Sequence, residues 1–581
     1  MSSRIIVERD VPVRMRDGVM LRADVYRPDV IAPIPAIVSR LPYNKDDLLM
    51  MDAHPFIMAE HGYAMVFQDT RGRYRSDGEF YPFVAEGLDG YDTVEWAAVQ
   101  PWCNGDVGLI GASYIGATLW MAAAFQPPHL RAAFSMFTSS EYYEGWTYQG
   151  GAFQLGFTLL WTLAHLAWET ADRWSADGLI DADAPERLLM ASNRLVDELY
   201  KHMPLSDLPV LRDSGTAPYY FDWIEHDTRD EYWARTAVNE DYSRIMVPVT
   251  HVGGWYDIFL LGTLENFTRL RQEAGSEAAR AGQRLLVGPW GHANQSGTFP
   301  ELRFGPMASL VQAGVLDRQV QFFDRTLKGI SAATDEEPPV RIFVMGEDRW
   351  RDEDAWPLER TAYECWYLHS DGAANTQGGT LSPFGPGAEP SDVYLYNPRD
   401  PCPTLGGPVF LPGIEAGADA GPKDQRPTEE RADVLTYTSL PLERPIEVTG
   451  PLRMNLWAAT SAPDTDFVAR LCDVYPDGRS MILAEGVIRA RFRRGYETAT
   501  PVEPGDIMAF EIDLVATSNV FLPGHAIRID ITSSSWPRFD ANPNTGHRLG
   551  SDGPGDVRVA LQTIAHSGRY PSHIVLPVIP R

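Results

Sequence analysis

The 581-residue sequence predicts an α/β domain that is interrupted by a block of helices and followed by an all-β domain. Apolar β-rich runs alternate with a helix-like segment over residues 1–140, which is typical of a mostly parallel sheet covered on both faces. Residues 141–241 change to helical periodicity, and the first pattern resumes over residues 242–336. Short alternating runs separated by Gly, Pro and Asp fill residues 337–581 and predict a jelly-roll β-sandwich.

The first segment opens with a predicted hairpin over Val11–Tyr26 that turns at Asp17-Gly18. Asp89–Val99 has apolar residues at helical spacing and acids in its first turn, which predicts a helix. Four apolar runs predict the strands of the sheet: Pro35–Ser39, Tyr63–Gln68, Val107–Gly111 and Ala132–Phe137.

The helical block that interrupts the α/β domain is predicted from two segments with helical periodicity, Phe153–Glu169 and Pro185–Tyr200. Strand-like runs return at Met246–Val252 and Arg284–Val287, and a helix-like run follows at Leu310–Leu327. We therefore expect the α/β domain to be completed after the helical block.

The last segment has a residue pattern that is typical of a β-sandwich. Pro476-Asp477-Gly478 is a strong hairpin turn, and Asp371–Ala388 is rich in Gly and Pro and predicts a long surface loop. The predicted strands are Val340–Met345, Phe467–Val474, Ser480–Ala484, Phe510–Val515 and Ala526–Ser533.

Composition excludes several classes of function. The chain has 50 Lys and Arg against 79 Asp and Glu, a formal charge of −29, which disfavours binding to nucleic acid or to an anionic membrane surface. No apolar stretch is long enough to span a bilayer, and charges near the N-terminus are unlike a signal peptide, so a cytoplasmic protein is expected. The four cysteines are too few for a disulfide framework and predict buried thiols.

No metal site and no cofactor are predicted. Asp46-Asp47 and Glu429-Glu430 are interpreted as solvated charge, since neither pair has His or Cys nearby in the sequence. Asp69 and Arg71 are expected to pair and to brace the loops at one end of the sheet.

A strand that leads into Gly111-Ala-Ser113-Tyr114-Ile-Gly116 and then into a helix predicts a nucleophile elbow. Such a turn lifts the serine to a helix N-terminus, where free N–H groups favour developing negative charge. The second glycine stands one residue later than in the usual Gly-x-Ser-x-Gly pattern, and an ordinary strand-to-helix turn is the alternative interpretation.

An acid and a histidine follow Ser113 in the order that such an elbow requires. Asp257 and His292 each end a glycine-rich stretch directly after a predicted strand. His292 would take the serine proton and return it to the leaving group, while Asp257 would orient the imidazole. Asp257 as an N-cap for Ile258–Phe267 is the alternative, and His251, inside a strand, is interpreted as structural.

An oxyanion hole needs two donors. The backbone N–H of Tyr114 is one candidate, and the loop after an early strand, Ser39–Lys45, is expected to supply the other. That loop has no glycine run, so the side chain of Tyr43 or Asn44 would have to donate. The residues alone leave this choice open, with Tyr43 as core filler a further possibility.

Beyond these local patterns, the chain resembles over nearly its full length a family of serine hydrolases. This family contains bacterial cocaine esterases, X-prolyl dipeptidyl peptidases, α-amino-acid ester hydrolases and glutaryl-cephalosporin acylases. The family shares the Gly-x-Ser-Tyr-x-Gly spacing. The matching motifs are Met15-Arg-Asp-Gly18, Gln68-Asp-Thr-Arg-Gly72, Gly111-x-Ser-Tyr-x-Gly116, Gly254-Trp-Tyr-Asp257, Gly288-Pro-Trp-x-His292, Thr465-Asp-Phe467, Ala516-Thr-Ser-Asn-Val-Phe-Leu-Pro-Gly524 and Ser572-His-Ile-Val-Leu-Pro577.

The resemblance implies an α/β-hydrolase domain with an inserted helical cap and a C-terminal jelly roll. It assigns the second oxyanion donor to the hydroxyl of Tyr43, and it implies a possible homodimer. It also implies an acyl pocket, whose lining residues would be Trp146, Trp161, Phe259, Phe410 and Leu411.

Members of the family differ in the substrates that they hydrolyse, and the residues after Asp257 indicate which kind of acyl group this chain accepts. Amino-ester relatives carry acids there, whereas this chain has Ile258, Phe259 and Leu260, which favours a neutral apolar or aromatic acyl group over an α-amine. Glu141 and Glu144 in the cap could still supply charge, although a solvated face is the simpler interpretation.

Three hypotheses follow from the sequence. The first is a serine hydrolase that cleaves small carboxylic esters through an acyl-enzyme. The second is an amidase or acylase acting on small amides such as cephalosporin side chains, or an X-Pro dipeptidyl peptidase. The third is a ligand-binding protein with an idle site, whose jelly roll binds glycans.

Overall fold

The structure is a computed structural model that describes residues 4–47, 54–331, 336–412 and 420–580. Its first segment alternates strands and helices, as predicted. The elements are β1 (Ile5–Arg14), β2 (Met20–Pro28), β3 (Ile34–Leu41), α1 (Pro55–Glu60), β4 (Ala64–Asp69), α2 (Glu86–Ala98), β5 (Cys103–Ala112), α3 (Ser113–Ala124) and β6 (Leu130–Met136).

The helical block predicted after this segment is present and begins with a small hairpin. The second predicted helix ends early, at Ser192, whose hydroxyl donates to the carbonyl of Leu189; such a bond to the backbone competes with the helix. The elements are β7 (Tyr148–Gln149), β8 (Ala152–Phe153), α4 (Leu155–Trp161), a π-helical turn (Thr162–Ala167), α5 (Trp168–Ala176), α6 (Ala184–Ser192), α7 (Pro209–Ser214), α8 (Pro218–Glu225) and α9 (Glu231–Ala234).

The chain then returns to the first sheet. The elements are β9 (Val249–Tyr256), α10 (Leu260–Glu273), α11 (Glu277–Ala281), β10 (Arg284–Gly291), α12 (Val315–Lys328), β11 (Val340–Val344) and β12 (Arg349–Glu353). Within the described residues this sheet has the order β1-β2-β4-β3-β5-β6-β9-β10-β11-β12, and the pairs from β4 to β11 are parallel.

Two strands lie in a different sheet from the one predicted. We expected the C-terminal β domain to begin at residue 337, but β11 pairs in parallel with β10, and β12 pairs antiparallel with β11. The run Val340–Met345 therefore extends the first sheet. Four of its five residues are buried, which is typical of a strand inside either sheet, so its sequence does not distinguish the two positions.

The remainder of the chain is almost entirely β, as predicted. Its elements are β13 (Ala362–His369), β14 (Gly379–Ser382), β15 (Asp392–Tyr396), α13 (Arg426–Glu429), β16 (Leu435–Thr438), β17 (Ile446–Thr460), β18 (Asp466–Val474), β19 (Ser480–Arg489), β20 (Met508–Phe521), β21 (Ala526–Thr532), β22 (Ala560–Ala565) and β23 (His573–Ile579).

The strands of this region form one hydrogen-bonded network around an apolar core. The predicted turn at Pro476-Asp477-Gly478 joins β18 and β19, which pair from Asp466 with Arg489 to Val474 with Ser480. The predicted surface loop Asp371–Ala388 is interrupted by β14, which pairs with β13 and β16. No helix in the described part of the chain is both long and apolar enough to cross a membrane.

The glycines before Asp257 and His292 lie in strands, not in the loops that we predicted. β9 continues through Gly254 to Tyr256, and β10 continues through Gly291. A β-carbon on Gly254 would lie 2.2 Å from the carbonyl oxygen of Trp290, so the two strands approach too closely there for any side chain. Both strands consequently end directly at Asp257 and His292.

Candidate active site

Ser113 sits at a sharp turn between β5 and α3. It is the first residue of the helix and has a φ of 55°, a conformation that non-glycine residues seldom adopt outside functional sites. A β-carbon on Gly111 would lie 2.3 Å from the carbonyl oxygen of Ile115, and one on Gly116 would lie 2.5 Å from Thr138. The displaced glycine is therefore required by its contact with the neighbouring segment.

Two further side chains meet Ser113 at the carboxyl ends of the parallel strands. His292 Nε2 lies 3.0 Å from Ser113 Oγ, and His292 Nδ1 lies 2.7 Å from Asp257 Oδ1. The Asp257 side chain has no exposed surface, and that of His292 is 10% exposed. The alternative role of Asp257 as a helix cap is not observed, because α10 begins at Leu260 with Phe259 as its N-cap.

His251 has the structural role that its position in a strand predicted. It is buried, and its Nε2 lies 2.8 Å from the side-chain oxygen of Gln283. Burial lowers the pKa of His251 to about 4, so the ring is neutral at ordinary pH.

Tyr114 and Tyr43 approach the same end of the sheet from different elements. The backbone N–H of Tyr114 lies in the first turn of α3, where amide groups have no intrahelical acceptor. Its phenol points into the core, where it donates to Glu86 Oε1 at 3.1 Å. Tyr43 Oη accepts a hydrogen bond of 2.9 Å from Trp161 Nε1, whereas the side-chain oxygen of Asn44 accepts from the backbone N–H of Asp46. This bond fixes the orientation of the Asn44 amide.

Aromatic rings surround His292, including those that the resemblance assigned to a pocket. Phe259 and Phe410 lie edge-on to the imidazole, with ring centroids at 5.0 and 5.3 Å. Trp146 stacks on Phe259 at 4.0 Å, and the Trp161 ring lies 5.5 Å from that of Tyr114.

Leu411 packs onto the cap. A β-carbon on Gly156 would lie 2.3 Å from Leu411 Cδ2, which places this side chain against α4. The sequence interpretation missed Phe157, which stacks on Trp161 at 5.7 Å. The four-residue spacing of Phe157 and Trp161 was a signal for it, because such residues share one helix face.

The prediction that the cap acids form a solvated face was wrong for Glu141. Glu141 is buried, forms an ion pair of 2.7 Å with Arg229, and accepts from the backbone N–H groups of Tyr142 and Tyr143. Its charge is therefore neutralised inside the cap. Glu144 accepts from the backbone N–H of Gly150 at 3.0 Å, and burial raises the pKa of Glu144 to about 8.

The raised pKa of Glu144 predicts how stability depends on pH. The unfolded carboxyl releases its proton near pH 4.5, whereas the folded one keeps it to about pH 8, so stability should fall as pH rises through this window. Glu144→Gln stays neutral and should lose less stability between pH 5 and pH 8, measured as the thermal-unfolding midpoint. The exposed Glu198→Gln is the control. Equal losses in wild type and Glu144→Gln would contradict the prediction.

Asp69 and Arg71 do not pair with each other, contrary to expectation. Arg71 donates two hydrogen bonds to Asp89, of 2.9 and 2.6 Å, and pairs with Asp17. Asp69 instead accepts from the backbone N–H of Lys45 at 2.8 Å, next to the turn that carries Tyr43. Burial raises the pKa of Asp69 to about 7.

One interpretation of surface charge was wrong in the β-sandwich. Glu429 is buried, and the fold brings it close to Cys472 and Asp530, with ligand-type atoms of all three within 4.8 Å of one another among the described residues. The guanidinium of Arg528 pairs with Glu429 and supplies positive charge there. The grouping joins residues far apart in sequence, which is why spacing did not reveal it.

Family models match two consecutive parts of the chain. Residues 17–294 match the X-Pro dipeptidyl-peptidase (S15 family) model. Residues 332–575 match the model for the C-terminal non-catalytic domain of X-Pro dipeptidyl-peptidases.

Individual relatives match over nearly the whole length. A cocaine esterase of Rhodococcus sp. (strain MB1 Bresler) is 39% identical over 99% of both chains. Among solved structures, an aminopeptidase from a marine sediment archaeon of the Thaumarchaeota has a TM-score of 0.81 at 25% identity, over 99% of this chain and 97% of the other. An α-amino acid ester hydrolase has the same TM-score at 26% identity and the same coverage.

Proposed function

The chain belongs to the X-Pro dipeptidyl-peptidase (S15) family, and on this premise we propose that it is a serine hydrolase of small carboxylic esters. One observation carries the proposal. Asp257, His292 and Ser113 form an unbroken chain of hydrogen bonds, of 2.7 and 3.0 Å, at the carboxyl end of the sheet. The 39% identity to a cocaine esterase supports ester hydrolysis as the reaction.

The three side chains would act in two steps. Ser113 Oγ attacks the ester carbonyl carbon while His292 Nε2 takes its proton, and Asp257 stabilises the imidazolium. Collapse of the tetrahedral intermediate breaks the bond to the alcohol oxygen, which receives the proton from His292. Water then attacks the acyl-enzyme with His292 as the base, which releases the carboxylic acid and restores the Ser113 hydroxyl.

Two donors would stabilise the negative charge on the carbonyl oxygen in both steps. The amide of Tyr114 lies at the N-terminus of α3, where the helix dipole also favours an anion. The phenol of Tyr43 is the second donor. The resemblance to the family favours Tyr43 over Asn44, whose side-chain oxygen accepts from the backbone N–H of Asp46.

The surroundings of His292 favour an acyl group without charge. Phe259 and Phe410 flank the imidazole, and the residues next to Asp257 are buried and apolar. An ammonium group placed there would lose its water without gaining a carboxylate. Glu141 in the cap is already paired with Arg229. The substrates we propose are therefore esters of apolar or aromatic acids.

Matched substrates test this assignment. We expect p-nitrophenyl phenylacetate and butyrate to be hydrolysed with kcat/KM at least about 100-fold above their α-amino counterparts, the esters of phenylglycine and 2-aminobutyrate, since one unpaired buried charge costs several kcal/mol. The corresponding anilides and one cephalosporin amide serve as the amide series. Faster cleavage of the amides, or of the α-amino esters, would instead support an acylase or a peptidase.

A further inference from the structure

The helical run of the cap contains a π turn directly after Trp161. α4 ends at Trp161, the π turn covers Thr162–Ala167, and α5 continues from Trp168. A π turn changes the partners of the backbone carbonyls around it, and such turns occur frequently at functional sites. Carbonyl oxygens at such a turn can also accept from donors outside the helix.

Arg73 supplies those donors from the α/β domain. Its guanidinium is buried and donates to the carbonyl oxygens of His165 and Leu166, each at 2.9 Å. Its Nε donates at 2.9 Å to the carbonyl oxygen of Pro42, the residue before Tyr43. One planar group thus fixes the π turn of the cap to the loop that carries the proposed oxyanion donor.

Glu169 keeps that guanidinium in place. Its Oε2 lies 2.7 Å from Arg73, and its Oε1 accepts from the backbone N–H of Tyr74 at 2.8 Å. The charge of Arg73 is therefore balanced by a carboxylate on the same cap helix. A buried guanidinium with a carboxylate and three carbonyl acceptors is held in one orientation, because each bond fixes a different edge of the plane.

Trp161 makes the contact to the hydroxyl itself. Its indole Nε1 donates to Tyr43 Oη at 2.9 Å. The indole plane is fixed by stacking on Phe157 at 5.7 Å and on Trp223 at 5.8 Å. When a phenol oxygen accepts a hydrogen bond at one lone pair, its own hydrogen points away from that donor. The phenol also becomes a stronger hydrogen-bond donor.

We infer that Trp161 and Arg73 are positioning residues for Tyr43: the indole sets the direction of the phenol hydrogen, and the guanidinium holds the two segments together. This inference rests on the proposed function, because it concerns the oxyanion donor of that reaction. It gives the cap a part in the chemical step, in addition to its part in lining the acyl pocket. The two parts can be separated by experiment.

A double-mutant cycle makes that separation. Tyr43→Phe removes the proposed donor and should lower kcat about 100-fold. Trp161→Phe keeps an aromatic wall but loses the indole N–H, and we expect a fall in kcat of about 10-fold. In the Tyr43→Phe background the same Trp161→Phe change should lower kcat less than about 2-fold, because no hydroxyl remains to be positioned.

Trp168→Phe is the matched control for this cycle. Its indole donates at 2.8 Å to the carbonyl of Ala164 in the same helical run, so the substitution also removes one indole hydrogen bond. We expect its kcat to equal that of the wild type. An equal loss from Trp161→Phe in both backgrounds, or no loss in either, would overturn the role of Trp161. A wild-type protein without esterase activity would contradict the proposed function instead.

Arg73→Lys tests the second positioning residue. The lysine keeps the positive charge beside Glu169 but cannot bond the two segments at once, so kcat should fall about 10-fold with KM nearly unchanged. Arg71→Lys, two residues away and paired with other carboxylates, should leave kcat unchanged. The loss from Arg73→Lys should also disappear in the Tyr43→Phe background. A variant that fails to fold, or that loses activity equally in both backgrounds, would make Arg73 a folding residue only.

Discussion

Ser113→Ala should abolish ester hydrolysis, with kcat reduced by a factor of about 10⁴ or more. The substitution removes the hydroxyl that lies 3.0 Å from His292 Nε2 and thereby the proposed nucleophile. The measurement is the steady-state hydrolysis of p-nitrophenyl butyrate, corrected for the uncatalysed rate.

The fold should survive this change. An alanine methyl fills most of the space of the lost hydroxymethyl group. The hydrogen bond that the Thr138 hydroxyl donates to the backbone carbonyl of residue 113 remains. Ser192→Ala, on the cap, is the control and should retain full activity. Turnover by a folded Ser113→Ala protein at more than about 1% of the wild-type rate would refute the mechanism.

Asp257→Asn should lower kcat by about 10⁴ while the protein stays folded. Asp257 Oδ1 lies 2.7 Å from His292 Nδ1 and sets which ring nitrogen carries the hydrogen. An asparagine can present its N–H group to Nδ1, which favours the tautomer in which Nε2 carries the hydrogen. His292 then cannot accept the proton from Ser113. The measurement is kcat for the same ester over a range of pH.

Asp177→Asn is the control, because it neutralises a carboxylate that is exposed at the end of α5. We expect it to behave as the wild type. An Asp257→Asn variant with kcat within 10-fold of the wild type would indicate that another group orients the imidazole.

Much of the architecture could be predicted from the sequence because its signals are local. The strands that end near Ser113, Asp257 and His292 are apolar runs with breaks at both ends, and the order of the three residues suits one edge of a parallel sheet. The resemblance to the family and the predicted fold class are confirmed by the 39% identity over 99% of the chain and by the two family models. The homodimer and the cytoplasmic location stay predictions.

What the sequence could not reveal depends on contacts between distant segments. Trp161 is 118 residues from Tyr43, and Arg73 is 93 residues from Leu166, so no periodicity links either pair. Glu429 was predicted to be solvated charge because no His or Cys lies near it in the sequence, although the fold buries it beside Arg528. Pairing of distant segments decided these positions, and local propensity carries no information about it.

The predicted ends of β9 and β10 were also wrong, and the cause is clear. We ended β9 and β10 at their glycines, since glycine commonly marks a turn. In the structure Gly254 lets two strands approach each other, which is the other reason for a glycine inside a strand. The catalytic assignment did not depend on this distinction, because both interpretations place Asp257 and His292 at the same edge.

Covalent labelling measures whether the hydroxyl of Ser113 is an activated nucleophile. The wild-type protein and Ser113→Ala are incubated with a fluorophosphonate probe, digested, and analysed by peptide mass spectrometry while residual esterase activity is recorded. We predict one adduct, on Ser113, in proportion to the activity lost, and no adduct in Ser113→Ala. An active wild-type enzyme that stays unlabelled at Ser113, or that is inactivated by labelling at another residue, would contradict the account.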